Sequence, residues 1–441
     1  MFQVYAENVR CFREPICHQI RPITFLVGEN SSGKSTFLAL IRLAWDISNG
    51  ISSPDFNEEP FQLGSFDQIA TYFGGKAGRA KSFRIGLKST LKRGPGKKNN
   101  SEIGVFATFV ARGSQPGLWK WEYSFGEYSL SLTFDDSKIS KLDLKAPSGV
   151  VQGLEIDFPR SLSFFKDPFS LLRILQFELF SLRNKNERRN KIPVNSISDK
   201  DIEELSELSF WGLESFGQRP YAFAPVRTKP QRTYDPLKDT PEPSGAHVPM
   251  ILARTRESDT KVWNSMQSVI EAYGNASGLF KNLDIKRMGG KESDPFQISV
   301  QIFSPKYNLV DVGYGISQVL PIIVDSLLEK EDSTILLQQP EVHLHPKAQA
   351  ELADVLALIA ARQNKNIVIE THSDYIIDRM RTLVRQGQGI KPEDVLILYF
   401  ERLAAGVKIH EITVDEMGNI HGAPEGYRQF FLDEEKRILG M

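Results

Sequence analysis

"GENSSGKS", residues 28–35, fits the pattern G-x-x-x-x-G-K-[ST] and decides the fold. It follows an apolar stretch typical of a strand (Ile23 to Gly28) and precedes "STFLALIRLAW", whose apolar residues have helical spacing. Glycines let backbone N–H groups curl around phosphate oxygens, and a helix N-terminus adds partial positive charge. The pattern therefore predicts a phosphate-binding loop, with Lys34 on the β- and γ-phosphates of a nucleotide and the Ser35 hydroxyl on Mg²⁺. The expected nucleotide contacts are Gly28, Asn30, Ser31, Ser32, Gly33, Lys34, Ser35 and Thr36.

A second apolar stretch, from Thr334 to Leu337, predicts a buried strand that ends on two glutamines. Phosphate-binding enzymes usually have there an acid that holds the metal, followed by a glutamate that polarises water. Gln338 and Gln339 take these places. An amide orients water but carries no charge and accepts no proton at neutral pH. Glu341 is the nearest carboxylate, and it is either a catalytic acid or a surface acid that caps the helix predicted to start at Pro346.

Two other polar side chains are candidates for the same site. His372 follows the predicted strand in "NIVIETHS", where it would reach the γ-phosphate, although a capped turn also explains it. Gln68, in "LGSFDQI", would join the metal shell, although an ordinary surface glutamine fits equally well. We therefore predict catalytic roles for Glu341, Gln339 and His372, and metal contacts from Ser35, Gln68 and Gln338.

The stretch "LVDVGYGISQVLP" predicts another anion-binding helix N-terminus. Asp311, Gly313, Gly315 and Ser317 lie just before or at the start of a helix predicted from Ser317 to Glu329. One domain has no evident use for two such helix ends. Two copies facing each other do, because each offers this end to the nucleotide that the other holds. The stretch therefore favours a dimer.

Composition sets the class of protein. The chain has 441 residues, of which 41% are hydrophobic and 25% charged, with a net charge of −1. Bulk charge therefore attracts it neither to nucleic acid nor to an anionic membrane. Its two cysteines, Cys11 and Cys17, lack metal-ligand spacing and suit a reducing compartment. No signal peptide or membrane-spanning stretch is evident, so we expect a cytoplasmic protein without membrane contact.

Strands alternate with helices at both ends of the chain, and different material lies between them. This order predicts one α/β head built from residues 1–75 and 280–441, interrupted by an inserted lobe, 76–279. Within the lobe we predict strands at about 80–160, helices at about 164–215 and a proline-rich loop at 219–249.

Together these motifs resemble stand-alone bacterial ABC-type ATPases of the RecF, SMC and overcoming-lysogenization-defect (OLD-like) groups. The likeness lies in the glycine loop, in "DVGYGISQVLP", in "QQPEVHLHP" and in "THS", while the tail "ITVDEMGNIHGAPEGYRQFFLDEE" resembles a C-terminal extension common in this group. The resemblance implies a P-loop NTPase of ABC/SMC-RecF type, with a mixed sheet flanked by helices and a large inserted β/α lobe. It also implies ATP, Mg²⁺ and a homodimer or higher homo-oligomer.

The resemblance assigns roles by position. It makes Gln68 the Q-loop residue, Asp311 to Ser317 the signature that crosses the dimer, and His372 the switch histidine. Gln338 departs from the family pattern, since relatives have Glu or Asp there, and this implies slow turnover. Many relatives carry a nuclease domain that we expect to be absent from this chain. Such members often act with a separately encoded effector, frequently a nuclease, in anti-phage defence.

Two other functions stay open at this point. One is a DNA-repair ATPase that binds DNA directly through basic segments, which are Arg183 to Lys191 and the stretch with Arg227, Lys229 and Arg232. The other is an ATP-locked scaffold deficient in hydrolysis, as the paired glutamines suggest. A nuclease acting alone is disfavoured, because no carboxylate cluster for its metal is recognisable.

Overall fold

The computed structural model describes most of the chain. The helices predicted at about 164–215 and after residue 432, and the basic segment 183–191, lie mostly outside the described residues. No helix among the described residues is long and apolar enough to cross a membrane. The described residues are 2–51, 53–91, 101–135, 138–155, 197–198, 200–201, 204, 216–236, 240–428 and 436–437.

The chain divides into two compact units. The first comprises Met1–Ile20, Thr36–Arg219 and Arg402–Lys408, and the second comprises the remaining segments. The second unit's segments are Arg21–Ser35, Pro220–Glu401 and Ile409–Met441. The first 20 residues and most of the first helix fall in the same unit as the middle of the chain. The predicted head and inserted lobe stay a prediction.

The first unit is built on an eight-stranded antiparallel sheet. The alternation of polar and apolar residues predicted its middle strands. Its order is β11-β10-β9-β8-β7-β6-β1-β2, so the opening strands belong to the sheet of the predicted lobe. The strands are β1 Phe2–Glu7, β2 Ile16–Ile20, β6 Ser82–Leu91, β7 Ser101–Arg112, β8 Gln115–Phe125, β9 Tyr128–Asp135, β10 Lys138–Ala146 and β11 Gly149–Glu155. A small hairpin pairs β4 Tyr72–Gly74 with β5 Gly78–Arg79.

The second unit contains a mixed seven-stranded sheet, ordered β12-β16-β17-β3-β18-β19-β20. The strands β12, β16, β17, β3 and β18 are parallel, and β20 is antiparallel to β19. The central strands read as continuous apolar runs, and nearly all of their residues are buried, as is typical of strands covered on both faces. The strands are β3 Ile23–Gly28, β12 Tyr221–Phe223, β16 Thr334–Gln338, β17 Asn366–Glu370, β18 Val395–Leu403, β19 Gly406–Val414 and β20 Ile420–His421. The predicted α/β class with a mixed sheet is thereby confirmed.

Seven α-helices and one further sheet complete the described structure. The proline-rich stretch, predicted as loop, contributes the edge strand β12, and one helix predicted near 257–272 is two helices separated at Asp259, whose carboxylate caps the second. The helices are α1 Lys34–Ser48, α2 Phe66–Ile69, α3 Val248–Ser258, α4 Thr260–Ser277, α5 Tyr314–Leu328, α6 Pro346–Gln363 and α7 Asp374–Arg385. The three-stranded sheet comprises β13 Asn282–Arg287, β14 Phe296–Gln301 and β15 Lys306–Asn308.

The core of the second unit fixes the sheet edge that matters for function. Ile335 and Leu337 of β16, Ile367 of β17 and Phe25 of β3 are fully buried in one apolar cluster with residues of the surrounding helices. Burying such side chains stabilises the folded state by about 1.5–3 kcal/mol each. The strands are therefore held rigidly, and so are the polar residues at their carboxyl ends.

Candidate functional site

The candidate site lies where three neighbouring parallel strands end. Gln338, the last residue of β16, pairs in register with Glu370, the last residue of β17, and Glu370 pairs with Leu26 of β3. Two residues beyond Leu26, the chain enters the glycine loop. In open α/β sheets, ligands bind outside the carboxyl ends of the strands. The site therefore has the position expected for a nucleotide.

Backbone geometry explains the glycines of the loop. Gly28, Ser31 and Gly33 have φ angles of 140°, 59° and 95°. A Cβ atom on Gly28 would lie 2.4 Å from the carbonyl oxygen of Phe400, so no other residue fits there. The loop lies between β3 and α1, as the motif requires. Its predicted nucleotide contacts stay predictions.

Lys34 is the first residue of α1 and is only 3% exposed. Its ammonium donates hydrogen bonds to the carbonyl oxygens of Gly28, at 3.0 Å, and Glu29, at 2.7 Å. Burial lowers the pKa of Lys34, and the negative charges of Glu370 and Glu29 oppose that effect. A nucleotide's phosphate oxygens would find this cation already inside the loop.

Ser35 contacts a carboxylate that sequence analysis did not single out. Its hydroxyl lies 2.9 Å from Oε1 and 2.8 Å from Oε2 of Glu370, which is 5% exposed. Burial raises the pKa of Glu370, while the bond from Ser35 and the charge of Lys34 lower it. The pair offers oxygen ligands, which Mg²⁺ prefers.

The donor set fits a Mg²⁺ ion that arrives with a nucleotide. Among the described residues, no group of three or more His, Cys, Asp or Glu side chains could hold a metal alone. Protein-bound Mg²⁺ commonly has one or two carboxylates and takes its other ligands from phosphates and water. Ser35 and Glu370 would supply the protein's share.

The two glutamines occupy different environments. Gln338 is 7% exposed and faces the same side of the sheet as Glu370, because paired residues on parallel strands share a face. Gln339 leaves the strand with a φ of 43°, and its N–H donates to the carbonyl oxygen of Glu370 at 2.8 Å. The site therefore has a neutral amide on one strand and a carboxylate on the next.

Glu341 is joined to His372. The backbone N–H of His372 donates to Oε1 of Glu341 at 2.7 Å, and Oε2 is buried without a hydrogen-bond partner within the described part of the chain. The alternative interpretation of Glu341 as a helix cap is wrong, because His345 caps α6 by accepting from the N–H of Lys347 at 3.3 Å. Glu341 is thus a partly buried carboxylate at the site.

The charges at the site are coupled. Burial raises the pKa of Glu341, against the hydrogen bond from His372 and the positive charge of Arg227. Burial also lowers the pKa of His372, and the charge of Lys34 acts in the same direction. A carboxylate with a raised pKa is better suited to accept a proton near neutral pH.

Arg227 lies close enough to Glu341 for the two charges to interact. It is 3% exposed, and burial lowers its pKa to about 10. One guanidinium nitrogen donates to the carbonyl oxygen of Gln338 at 3.4 Å, whereas Nε and Nη1 are buried without hydrogen-bond partners in the described structure. A buried cation of this kind normally has an anionic partner, and the charge of Glu341 acts on it.

The basic stretch around residue 230 was a candidate for DNA contact, and its side-chain contacts bear on that role. Arg227 is buried, and Arg232 pairs with Asp311, whose Oδ2 lies 2.9 Å from Nη1. Two of the three candidate cations for DNA contact are therefore buried or paired within the protein. Lys229 lines a cavity of about 340 Å³ with the apolar residues of α3 and α5.

The predicted signature stretch forms the N-terminus of α5. The helix begins at Tyr314, three residues before the predicted start, with Gly313 at the N-cap and Gly315 in its first turn. Gly313 is exposed, whereas a Cβ atom on Gly315 would lie 3.1 Å from the carbonyl oxygen of His343. The hydroxyl of Ser317 donates to the carbonyl oxygen of Tyr314 at 2.8 Å.

Gln68 lies in the short helix α2 of the first unit. Its side-chain oxygen accepts a hydrogen bond from the N–H of Ser65 at 2.8 Å, which forms half of a capping box. A metal contact from Gln68 would require this bond to break, and the role stays a prediction.

A glycine loop, a buried lysine and a serine at the start of a helix, placed at the carboxyl edge of a parallel sheet, define a P-loop nucleotide-binding protein. The family model described as "AAA ATPase domain" matches residues 125–377, more than half of the sequence. The chain therefore belongs to the AAA ATPase domain family. The matched residues include β16, β17 and α5 and begin after the glycine loop.

Solved structures similar to this chain include heads of SMC proteins. One is an SMC head bound to the C-terminal winged-helix domain of ScpA (8% identity, TM-score 0.45, covering 94% of this chain and 98% of that one). Another is an SMC head with an extended coiled coil bound to the C-terminal domain of ScpA from Pyrococcus furiosus (8%, 0.46, 99% and 100%). A third is the SMC head from Thermotoga maritima (10%, 0.41, 92% and 97%). No curated protein matches the sequence.

Proposed function

We propose that this chain is a Mg²⁺-dependent ATPase that acts as a nucleotide-bridged dimer and gates a separately encoded effector. The observation that supports it most is the convergence of Lys34, Ser35, Glu370 and Glu341 at one sheet edge. Lys34 and the loop amides would bind the phosphates. Bound Mg²⁺ neutralises phosphate charge and polarises the phosphoryl oxygens.

In this proposal Glu341 is the group that accepts a proton from attacking water. Its buried, unpaired Oε2 supports that role, and its bond to the backbone of His372 fixes its direction. Gln339 would orient the water through its amide, and His372 would contact the γ-phosphate. Because Gln338 and Gln339 carry no charge, we propose slow turnover.

The dimer and the effector are the finer parts of the proposal. The exposed N-cap Gly313 at the start of α5 supports a dimer, in which Asp311, Gly313, Gly315 and Ser317 would face the partner's nucleotide. The resemblance to stand-alone OLD-like ATPases supports an effector, a nuclease, in anti-phage defence in the cytoplasm. Direct DNA binding has less support, because Arg227 and Arg232 are engaged within the protein.

The first experiment is ATP hydrolysis and ATP binding by the purified chain, beside Lys34→Ala and Glu341→Gln, with and without duplex DNA. We expect Lys34→Ala to abolish binding, because it removes the only side-chain cation we place on the phosphates. We expect Glu341→Gln to keep binding and lose turnover, because the amide accepts no proton.

Unchanged binding in Lys34→Ala would refute the nucleotide site. Unchanged turnover in Glu341→Gln would refute the role of Glu341 alone, and stimulation by DNA that high salt removes would favour a DNA-binding ATPase.

A further inference from the structure

Glu370 lies where a metal-holding carboxylate is needed. A strand that ends beside a phosphate loop usually presents this acid at the position of Gln338. Here that residue is an amide, and the residue in register with it on the neighbouring strand is a glutamate. Adjacent strands are about 4.8 Å apart, so the backbone of Glu370 lies only one strand spacing from that of Gln338. Since β17 is the direct neighbour of β3, Glu370 is also the closer of the two to the loop.

The contact with Ser35 points to the ion. Both carboxylate oxygens of Glu370 lie within hydrogen-bonding distance of the hydroxyl that the loop motif assigns to Mg²⁺. The side chain is 5% exposed and comes from a rigid central strand, so its direction is fixed. An amide at Gln338 offers one neutral oxygen, whereas Glu370 offers two oxygens with a negative charge.

We propose that Glu370, on β17, is the carboxylate that holds nucleotide-bound Mg²⁺ in this chain, in place of the neutral Gln338 on β16. This inference rests on the proposed nucleotide-binding function. It assigns the lost charge to a neighbouring strand, so the paired glutamines do not leave the metal without an acid.

The test measures the affinity of a non-hydrolysable ATP analogue, adenylyl imidodiphosphate, in EDTA and in Mn²⁺. The ratio of the two dissociation constants reports how strongly metal and nucleotide favour each other's binding. We expect Glu370→Gln to lower the gain from Mn²⁺ by about 10- to 100-fold, as loss of a metal-supporting carboxylate does. Binding in EDTA should stay equal or become tighter, because a negative charge near the phosphates is removed.

Matched variants separate a metal role from a general one. Glu29→Gln removes a carboxylate whose charge also acts on Lys34 but which has a different place in the loop, and we expect it to keep the gain from Mn²⁺. Glu370→Asp retains the charge and should keep more of the gain than Glu370→Gln. The double variant Gln338→Glu with Glu370→Gln returns the acid to β16 and should restore the gain.

Each result has one meaning. A preserved gain in Glu370→Gln, an equal loss in Glu29→Gln, or an equal loss in Glu370→Asp would overturn the inference, and so would a folded double variant that regains nothing. Failure of the wild-type chain to bind the analogue in either buffer would instead refute the proposed function.

Discussion

At the scale of single residues, the site combines a neutral strand end with charged neighbours. Gln338 has no charge, but two glutamates lie near it. The negative charge of Glu341 raises the pKa of Glu370. Lys34 offsets this repulsion on the loop side, and Arg227 does so on the side of Glu341. The electrostatic balance of the site therefore depends on four charged residues from four segments of the chain.

Arg227 should set the pH at which Glu341 becomes a competent base. Its positive charge lowers the pKa of Glu341, which burial raises. Turnover should fall as the pH drops through this pKa, because the protonated carboxyl accepts no proton. Replacing the arginine by methionine removes the opposing charge, so the acid limb of the pH profile of kcat should move to higher pH.

Arg227→Lys is the matched control for this prediction. Lysine keeps the positive charge but has fewer hydrogen-bond donors than arginine. The variant should therefore leave the acid limb close to its wild-type position. Both variants require the same thermal unfolding profile at neutral pH for the comparison to hold. A limb that stays in place in a folded Arg227→Met variant would show that another group titrates.

Part of the site was predictable from residue types, and part was not. Lys34, Ser35 and Glu341 are predicted because a motif or a local spacing points to them, and the structure brings them to one sheet edge. Glu370 was missed because its importance depends on the register between two parallel strands, which no local pattern records. The glutamate at the end of the strand "NIVIE" is visible in the sequence, but the prediction for this segment rests on the following Thr371-His372-Ser373. The sequence does not reveal the burial of Arg227, because burial depends on tertiary packing.

At the scale of elements, strands with continuous apolar runs were predicted well. The strand from Ile23 to Gly28 has the predicted limits, and β16 extends one residue beyond the prediction. The edge strand Tyr221–Phe223 was missed because it is short and lies in a proline-rich stretch, where propensity favours a loop. Its place in the sheet comes from parallel pairing with β16.

The connection between α6 and β17 contains a buried cation with a measurable effect on stability. Lys365 is fully buried, donates to the carbonyl oxygen of Ser326 at 2.7 Å near the end of α5, and has a pKa lowered to about 8, first by burial. Between about pH 8 and the ordinary lysine pKa of about 10.5, the unfolded chain holds this proton and the folded chain does not. The contribution of Lys365 to the free energy of unfolding should therefore rise with pH in this window.

Lys365→Met should remove that rise. The difference in the free energy of unfolding between wild type and variant, measured by urea denaturation, should grow in favour of wild type from pH 8 to pH 10.5, because only wild type has this proton to lose on folding. Lys391→Met is a suitable control, because it removes a lysine that lies exposed in the same unit. Parallel curves for wild type and Lys365→Met would mean that Lys365 titrates normally.

At the scale of the whole molecule, the order of elements predicts a head interrupted by an inserted lobe, and the structure divides the chain into two discontinuous units. The second unit is assembled from three separated segments, as a head interrupted by an insertion would be. The opening hairpin of β1 and β2 nevertheless pairs with β6, because its alternating pattern suits an antiparallel sheet. The sequence alone does not show which of the two large sheets this hairpin joins.

The proposed dimer gives the last prediction, which concerns Gly313. Its φ of −60° suits any residue, and a Cβ atom there would meet nothing within 4 Å, so Gly313→Glu should fold normally. A glutamate at a helix N-terminus even favours the helix. Against a partner's phosphates, however, it places like charges together, which costs several kcal/mol at an interface and should weaken the dimer about 100-fold or more.

Sedimentation in Mg²⁺ and adenylyl imidodiphosphate measures this effect. Gly290→Glu adds the same charge at another glycine of the second unit whose added Cβ atom would also meet nothing within 4 Å, and it should sediment as wild type does. Because each protomer would still hold nucleotide in its own loop, Gly313→Glu should bind the analogue as a monomer. A Gly313→Glu chain that dimerises as well as the Gly290→Glu control would exclude α5 from the interface, whereas a wild-type chain that stays monomeric with bound nucleotide would exclude the dimer itself.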